Sequence, residues 1–140
     1  MPVEVHVVTP ERELWSGTST LLIARGVDGE VGIQAGHIPL LVQLAIGALR
    51  IQREDQDELV AVVDGGFMHV TSSTEGVTRV DVMASYAEFV SEIDLPAARA
   101  RAERMHELLT QNHDTQVAEA DLVAAKAELQ KALTRIGLAG

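Results

Sequence analysis

Residues 29 to 41 read GEVGIQAGHIPLL, and the rest of the chain is arranged around this stretch. Its glycines permit positive φ angles or close backbone approach, and Pro39 disfavours helical geometry at the residue before it. The pattern predicts a rigid, bent loop that apolar side chains anchor to a core from both ends: Val31, Ile33, Ile38, Leu40 and Leu41. The polar side chains are predicted to face outward: Glu30, Gln34 and His37. An outward-facing loop on a rigid scaffold is typical of a contact surface.

The composition of the chain excludes several functional classes. Its 140 residues suit one domain, or a domain of about 85 residues with an appendage. The 21 acidic residues outnumber the 11 basic ones, so we expect no nucleic-acid partner. Cysteine is absent, which excludes disulfides and thiolate metal ligands. No apolar run approaches the roughly 20 residues of a membrane span and no basic signal region opens the chain, so we expect a cytosolic protein without direct membrane insertion.

A change of composition near Tyr86 divides the chain into two predicted domains, residues 1–86 and residues 87–140. The first is rich in glycine and in β-branched residues, which alternate with polar ones at the period of a half-buried strand. Strands are predicted over residues 3–7, 19–25, 30–33, 40–46, 48–53, 58–63, 67–71 and 77–83. The pair Gly65-Gly66 is predicted to reverse the chain between two of these strands. Short strands with regular turns predict an antiparallel β-sandwich, or flattened barrel.

The second domain is predicted to be an antiparallel α-helical hairpin, which makes the fold α+β by segments. Apolar residues recur at helical spacing in two stripes: Leu95, Ala98, Ala102, Met105 and Leu109, then Ala118, Leu122, Ala125, Leu129, Ala132 and Ile136. Asp94 is the predicted N-cap of the first helix, and Asp114 or Thr115 that of the second. Alanine buries little apolar surface, so the hairpin is predicted to be marginal alone. It is either a movable arm or a plain helical cap on the sandwich.

The motifs of familiar catalytic classes are absent from the sequence. There is no nucleophile elbow, P-loop, zinc-protease motif or dinucleotide-binding glycine pattern. No two histidines have ligand spacing on one predicted helix: His6, His37, His69, His106 and His113. We interpret His6 and His69 as solvated or hydrogen-bonded strand residues, and His37 as either a contact residue or a loop-stabilising one. We therefore expect no catalytic residue and no metal site.

Three motifs resemble the epsilon-subunit family of bacterial F-type ATP synthases, and the resemblance covers essentially the full chain. They span Val5 to Gly17, Asp28 to Leu41, and Gly65-Gly66-Phe67. The resemblance implies a non-catalytic central-stalk (rotor) subunit that couples the gamma subunit to the c ring of a proton-translocating enzyme. It also implies a peripheral position on the cytoplasmic face of the bacterial cell membrane. The hairpin would lie folded, or extend to inhibit ATP hydrolysis, where the alpha and beta subunits become possible contacts.

The resemblance also assigns a partner interface. The family region that faces the c ring and the gamma subunit corresponds to Glu30, Gly36, His37, Ile38 and Leu40. Many members of the family have Leu-Pro before the Gly-His pair, where this chain has Gln34-Ala35. Loss of that proline is expected to loosen the loop slightly.

Some members of the family bind ATP at the start of the first helix, and this chain matches their motif in part. The matching positions are Glu88, Ile93, Asp94 and Arg104. Ala97 stands where the motif has arginine, and Lys126 and Lys131 stand where arginines are wanted. Lysine lacks the bidentate fork that suits phosphate, although Arg99 could reach the site as a substitute. The resemblance therefore implies no cofactor, and ATP as a weak regulatory ligand at most.

A function of a different class stays open on the residues alone. A free-standing β-sandwich could bind a small ligand or a protein, with the helical hairpin as its lid. Co-purification with gamma-like and c-like partners separates this alternative from the rotor subunit.

Overall fold

The computed structural model describes the backbone of residues 2–111 and 119–139, with side chains over residues 2–107 and 127–139. The chain divides into two compact units, Met1–Phe89 and Val90–Gly140. The predicted boundary after Tyr86 falls inside the last strand of the first unit, which continues to Phe89. The predicted caps of the second helix, Asp114 and Thr115, lie outside the described residues.

The first unit is a single sheet of eight strands that folds over to form a β-sandwich. The strands are β1 (Val3–Val8), β2 (Glu13–Ser19), β3 (Leu21–Gly26), β4 (Gly29–Ile33), β5 (Leu40–Gln43), β6 (Gly47–Arg53), β7 (Gln56–Ser72) and β8 (Thr78–Phe89). Their order is β2-β1-β8-β7-β6-β3-β4, and β5 also pairs with β7. Neighbouring strands are antiparallel, as predicted, except that β1 runs parallel to β8.

The predicted chain reversal at Gly65-Gly66 is wrong, because β7 continues through these residues and stays paired with β8 on both sides of them. Both glycines have positive φ, 69° and 100°, so the strand bends without ending. The half of β7 before the bend pairs with β6, and the half after it pairs with β5. The long strands β7 and β8 thereby join the two layers of the sandwich.

Strand β2 has no counterpart among the predicted strands, because its alternation is weak and a glycine interrupts it. Gly17 faces the ring of Trp15, and a Cβ at Gly17 would lie 2.6 Å from the Trp15 ring. The half-buried Trp15 packs against the core in the space that the glycine leaves. Burial of a large aromatic side chain, rather than a simple period of two, holds this strand.

The core of the sandwich confirms the predicted alternation in the other strands. Val3, Val5 and Val7 of β1 are buried, and so are Val80 and Val82 of β8. Side chains from both layers meet in one cluster, to which β3 and β6 contribute Leu22, Leu49 and Ile51. One face of each layer is therefore fixed inward, and the alternate residues of the same strands face outward.

The second unit contains a short 3₁₀ helix, Val90–Glu92, and two helices, α1 (Leu95–Gln111) and α2 (Glu119–Ala139), which pack against each other. Asp94 caps α1 as predicted, because its Oδ1 accepts the Ala97 N–H at 3.2 Å. The predicted alanine seam is confirmed where side chains are described, since Ala98, Ala102 and Ala132 are buried. Over residues 2–111 and 119–139, no helix is both long and apolar enough to cross a membrane.

Candidate partner-binding surface

The bent loop between β4 and β5 is held by its backbone. Gly36 adopts the left-handed conformation with φ of 88°, and its N–H donates to the buried Thr78 Oγ1 at 2.7 Å. The next N–H, of His37, donates to the Gln34 carbonyl at 3.2 Å. The Ser72 hydroxyl donates to the His37 carbonyl at 3.4 Å. Hydrogen bonds to β7 and β8 therefore fix the loop that the sequence singled out.

The side chains of this loop lie partly as predicted and partly not. Glu30 is exposed and His37 is half-buried, with its Nδ1 2.7 Å from the Ile38 carbonyl oxygen. The prediction that Ile38 and Leu41 anchor the loop is wrong, since they are 72% and 63% exposed. Leu40 does pack against the core, so alternation along β5 sends Leu41 to the outer side.

An apolar row crosses the outer face of the layer formed by β1, β8, the second half of β7, and β5. It consists of Val8, Met83 and Phe67, which are directly opposite one another in register. Phe67 and Met83 are 48% and 43% exposed. The sequence contained the signal for this row, because Met83 follows the inward Val82 and must face outward. Together with Leu41, the row gives this face more exposed apolar surface than isolated side chains do.

A charged row lies beside the apolar row on the same face, two residues along each strand. It runs across His6, Asp81 and His69, and ends at Leu41 of β5. Arg79 donates to both carboxylate oxygens of Asp81, at 3.0–3.3 Å. His6 contacts carboxylates on both sides of its ring, which confirms its interpretation as a hydrogen-bonded strand residue. The outer face is therefore an apolar strip bordered by paired charges.

The five candidate ATP-site residues are divided between the two units. Glu88 is half-buried on β8, in the sandwich. The other four belong to the helical unit: Ile93, Asp94, Arg99 and Arg104. The carboxylate of Asp94 accepts the capping hydrogen bond of α1, while Arg99 and Arg104 are exposed on that helix. Within the described residues, no three His, Asp or Glu side chains form a cluster that could hold a metal ion.

The fold and its outer face define a class of protein, a β-sandwich module that has a partly apolar outer face and carries a helical hairpin. Comparison with known families matches residues 2–90 to the family described as ATP synthase, Delta/Epsilon chain, beta-sandwich domain. The chain belongs to this family. It is accordingly a stalk subunit that associates with an ATP synthase, not a catalytic subunit, which sets aside the free-standing binding module.

Similar proteins cover most or all of the chain. The ATP synthase epsilon chain of Mycobacterium avium is 46% identical over 102 residues, 72% of this chain and 80% of that one. The epsilon chain of Shouchella clausii is 36% identical over 137 residues, 98% of this chain and 94% of that one. The hairpin is therefore included in the similarity.

Solved structures share the fold at low identity. A chain of the Euglena gracilis mitochondrial ATP synthase (OSCP/F1/c-ring) matches with a TM-score of 0.76 and 24% identity, covering 95% of this chain and 78% of that one. A chain of the Tetrahymena thermophila mitochondrial ATP synthase (central stalk/c-ring) matches with a TM-score of 0.62 and 18% identity, covering 100% and 98%.

Proposed function

We propose that this chain binds the gamma subunit and the c ring as part of the central stalk, and couples them in the rotor. The observation that carries the proposal is the apolar row, in which Phe67 and Met83 face outward side by side on a rigid sheet. Aromatic and methionine side chains are enriched in protein interfaces, where water is excluded around them. The bent loop with Glu30, Gly36, His37, Ile38 and Leu40 supplies a second contact region near the end of β5.

The apolar row is tested by replacing Phe67 and Met83 with serine and measuring binding to purified gamma subunit. A buried interface anchor is worth about 2 kcal/mol or more, so we expect at least a thirtyfold weaker affinity. Val77→Ser is the matched control, because Val77 is also an exposed apolar residue, 40% exposed, and lies in the turn before β8. Unchanged gamma binding by the double variant contradicts the assignment of this face.

The loop is tested with Glu30→Ala and His37→Ala. We expect weaker assembly with the c ring and the gamma subunit, while thermal stability changes by less than about 0.5 kcal/mol for the exposed Glu30. His37 is half-buried but makes its ring contact within the loop, to Ile38. A large fall in melting temperature together with normal assembly would make the loop a structural element only.

We further propose that the hairpin regulates ATP hydrolysis. Alanine lines the described part of the seam between the two helices and buries little apolar surface. The folded and extended forms of the hairpin are therefore expected to differ in free energy by only a few kcal/mol. The extended hairpin would be able to contact the alpha and beta subunits. Faster hydrolysis by an assembled complex whose chain ends after Phe89 supports this proposal, and an unchanged rate opposes it.

We place the chain at the cytoplasmic face of the bacterial cell membrane as a peripheral protein, held there by its partners. Its own affinity for ATP is proposed to be weak or absent. The exposed Ala97 stands where the ATP-binding motif has arginine, and the carboxylate of Asp94 already accepts the capping bond of α1.

A further inference from the structure

His6 has a carboxylate oxygen against each of its ring nitrogens. Nε2 lies 2.9 Å from Glu4 Oε1, on the same strand, and Nδ1 lies 3.4 Å from Glu13 Oε1, on β2. An ionised carboxylate only accepts hydrogen bonds, and a neutral imidazole carries a single N–H. Both contacts can therefore be hydrogen bonds at the same time only when His6 is protonated.

A bulge in β2 puts Glu13 on the same face as His6. The register pairs Val7 with Trp15 and then Val8 with Glu13, so Leu14 is the extra residue on β2. In a regular register without the bulge, Leu14 would lie opposite Val8, and Glu13 would pair one step further along and point to the other face. Bulges commonly redirect a side chain in this way. Within the described strands β2 pairs only with β1, so β2 is an edge strand and no second strand pairs with its Glu13 end.

We propose that His6 is a proton-dependent clamp, which fastens the Glu13 end of the edge strand β2 to β1 when protonated and releases that end when neutral, while pairing with β1 and the packing of Trp15 hold the rest of β2. The residues that face His6 from β8 and β2 either bind other side chains or carry no charge. On β8, Arg79 is bound to Asp81 at 3.0 Å and lies 3.7 Å from Glu4. The register places the uncharged Ser16 of β2 opposite His6, and on β7 His69 lies opposite Asp81.

The direction of the pH effect follows from the carboxylates. The hydrogen bond that His6 donates to Glu4 raises the pKa of His6 above its ordinary value of 6.5, and Glu13 adds to this, against opposing effects of burial and of Arg79. A raised folded-state pKa means that the clamp is fully formed below pH 6.5 and is lost as the pH rises through the raised value. The clamp therefore opens as the pH rises above 6.5, through the raised pKa of His6.

The test is an NMR titration of the full chain from pH 5.5 to 8.5, which follows the His6 ring and the hydrogen exchange of the β2 amides. Exchange is corrected for the intrinsic pH dependence of unstructured peptides. We expect His6 to titrate above 6.5, and protection of the amides of residues 13–16 to fall about threefold or more with the same midpoint.

Two variants separate the clamp from a local charge effect. Glu13→Ala changes an exposed side chain, so the fold is retained. The variant is expected to abolish the pH-dependent fall in hydrogen-exchange protection of the β2 amides. Glu4 is expected to keep the titration midpoint of His6 above 6.5. His106→Asn alters an exposed histidine of α1 and is expected to change neither readout. A His6 midpoint at or below 6.5 overturns the proposal, as does a β2 step that persists in Glu13→Ala. The clamp belongs to the sandwich itself, so its failure leaves the proposed gamma-binding surface untouched.

Discussion

Gly66 is the position where a single methyl group is expected to damage the sandwich most. An alanine Cβ there would lie 2.0 Å from the Met83 carbonyl oxygen and 2.8 Å from the Ala84 Cα, where real Cβ contacts stay above 3.0 Å. Since both neighbours are backbone of β8, no side-chain rotation relieves the contact. The two strands must separate by about 1 Å, at the point where β7 bends from one layer to the other.

The magnitude of the Gly66→Ala effect has two parts. Residue 66 has φ of 100°, which costs a residue with a Cβ about 1–3 kcal/mol. Separating β7 from β8 near Gly66 and Phe67 weakens ladder hydrogen bonds worth about 0.5–1.5 kcal/mol each. The variant should therefore lose about 3–5 kcal/mol, a large share of the roughly 5–15 kcal/mol that stabilises a typical domain.

The adjacent glycine provides the matched control. Gly65 also has positive φ, 69°, but a Cβ there meets only the Ser85 side chain, at ordinary distances of 3.5 and 3.8 Å. Gly65→Ala should therefore show the backbone strain without the clash. Urea unfolding followed by the fluorescence of Trp15, the single tryptophan of the chain, gives both free energies. Equal losses in the two variants would refute the close approach of β8 as the reason for glycine at position 66.

Three further predictions concern the ends of the sandwich and the hairpin. A chain ending after Phe89 should fold cooperatively. A chain ending after Met83 should not, because the shorter chain lacks the part of β8 that pairs with residues 61–66. Thermal unfolding followed by circular dichroism compares the two chains. Glu128→Gln should destabilise the full chain by less than about 1 kcal/mol at pH 7, since its ion pair with Arg101 is exposed. That ion pair lowers the Glu128 pKa below its ordinary value of 4.5. The difference in unfolding free energy between the variant and the unmodified chain should therefore vanish as the pH falls through the lowered pKa, and urea unfolding at several pH values measures it. Calorimetric titration with ATP should show weak or absent binding by the unmodified chain. Ala97→Arg should bind more tightly, by roughly 1.5–3 kcal/mol for one charge-assisted hydrogen bond. Micromolar binding by the unmodified chain contradicts this prediction.

The pattern of the sequence determined the elements whose faces are set locally. Period-two alternation placed Val3, Val5 and Val7 inward in β1, and helical spacing placed Ala98 in the seam of the hairpin. The cap at Asp94 also followed from residue type, because an Asx side chain before a helix satisfies its first N–H groups. In such cases the deciding contacts lie within one element, so the sequence pattern suffices.

The residues that carry the proposed contacts depended on tertiary structure. The outward faces of Phe67 and Met83 follow from alternation, but their position side by side requires the pairing of β7 with β8. The exposure of Ile38 and Leu41 likewise reflects which side of β5 the core occupies. An apolar run in the sequence does not show which of its side chains will be buried by contacts within the chain and which will be exposed.

Only the tertiary structure decided the course of β7. Gly65-Gly66 is a good turn signal locally, yet pairing with β8 on both sides of the glycines carries the strand through them. The clamp at His6 is set in the same way, since it needs the bulge in β2 that brings Glu13 to the face of His6. These pairings are made between different strands, so the pattern within one strand does not report them, and the free energy of pairing with β8 outweighs the local preference of a glycine pair to turn.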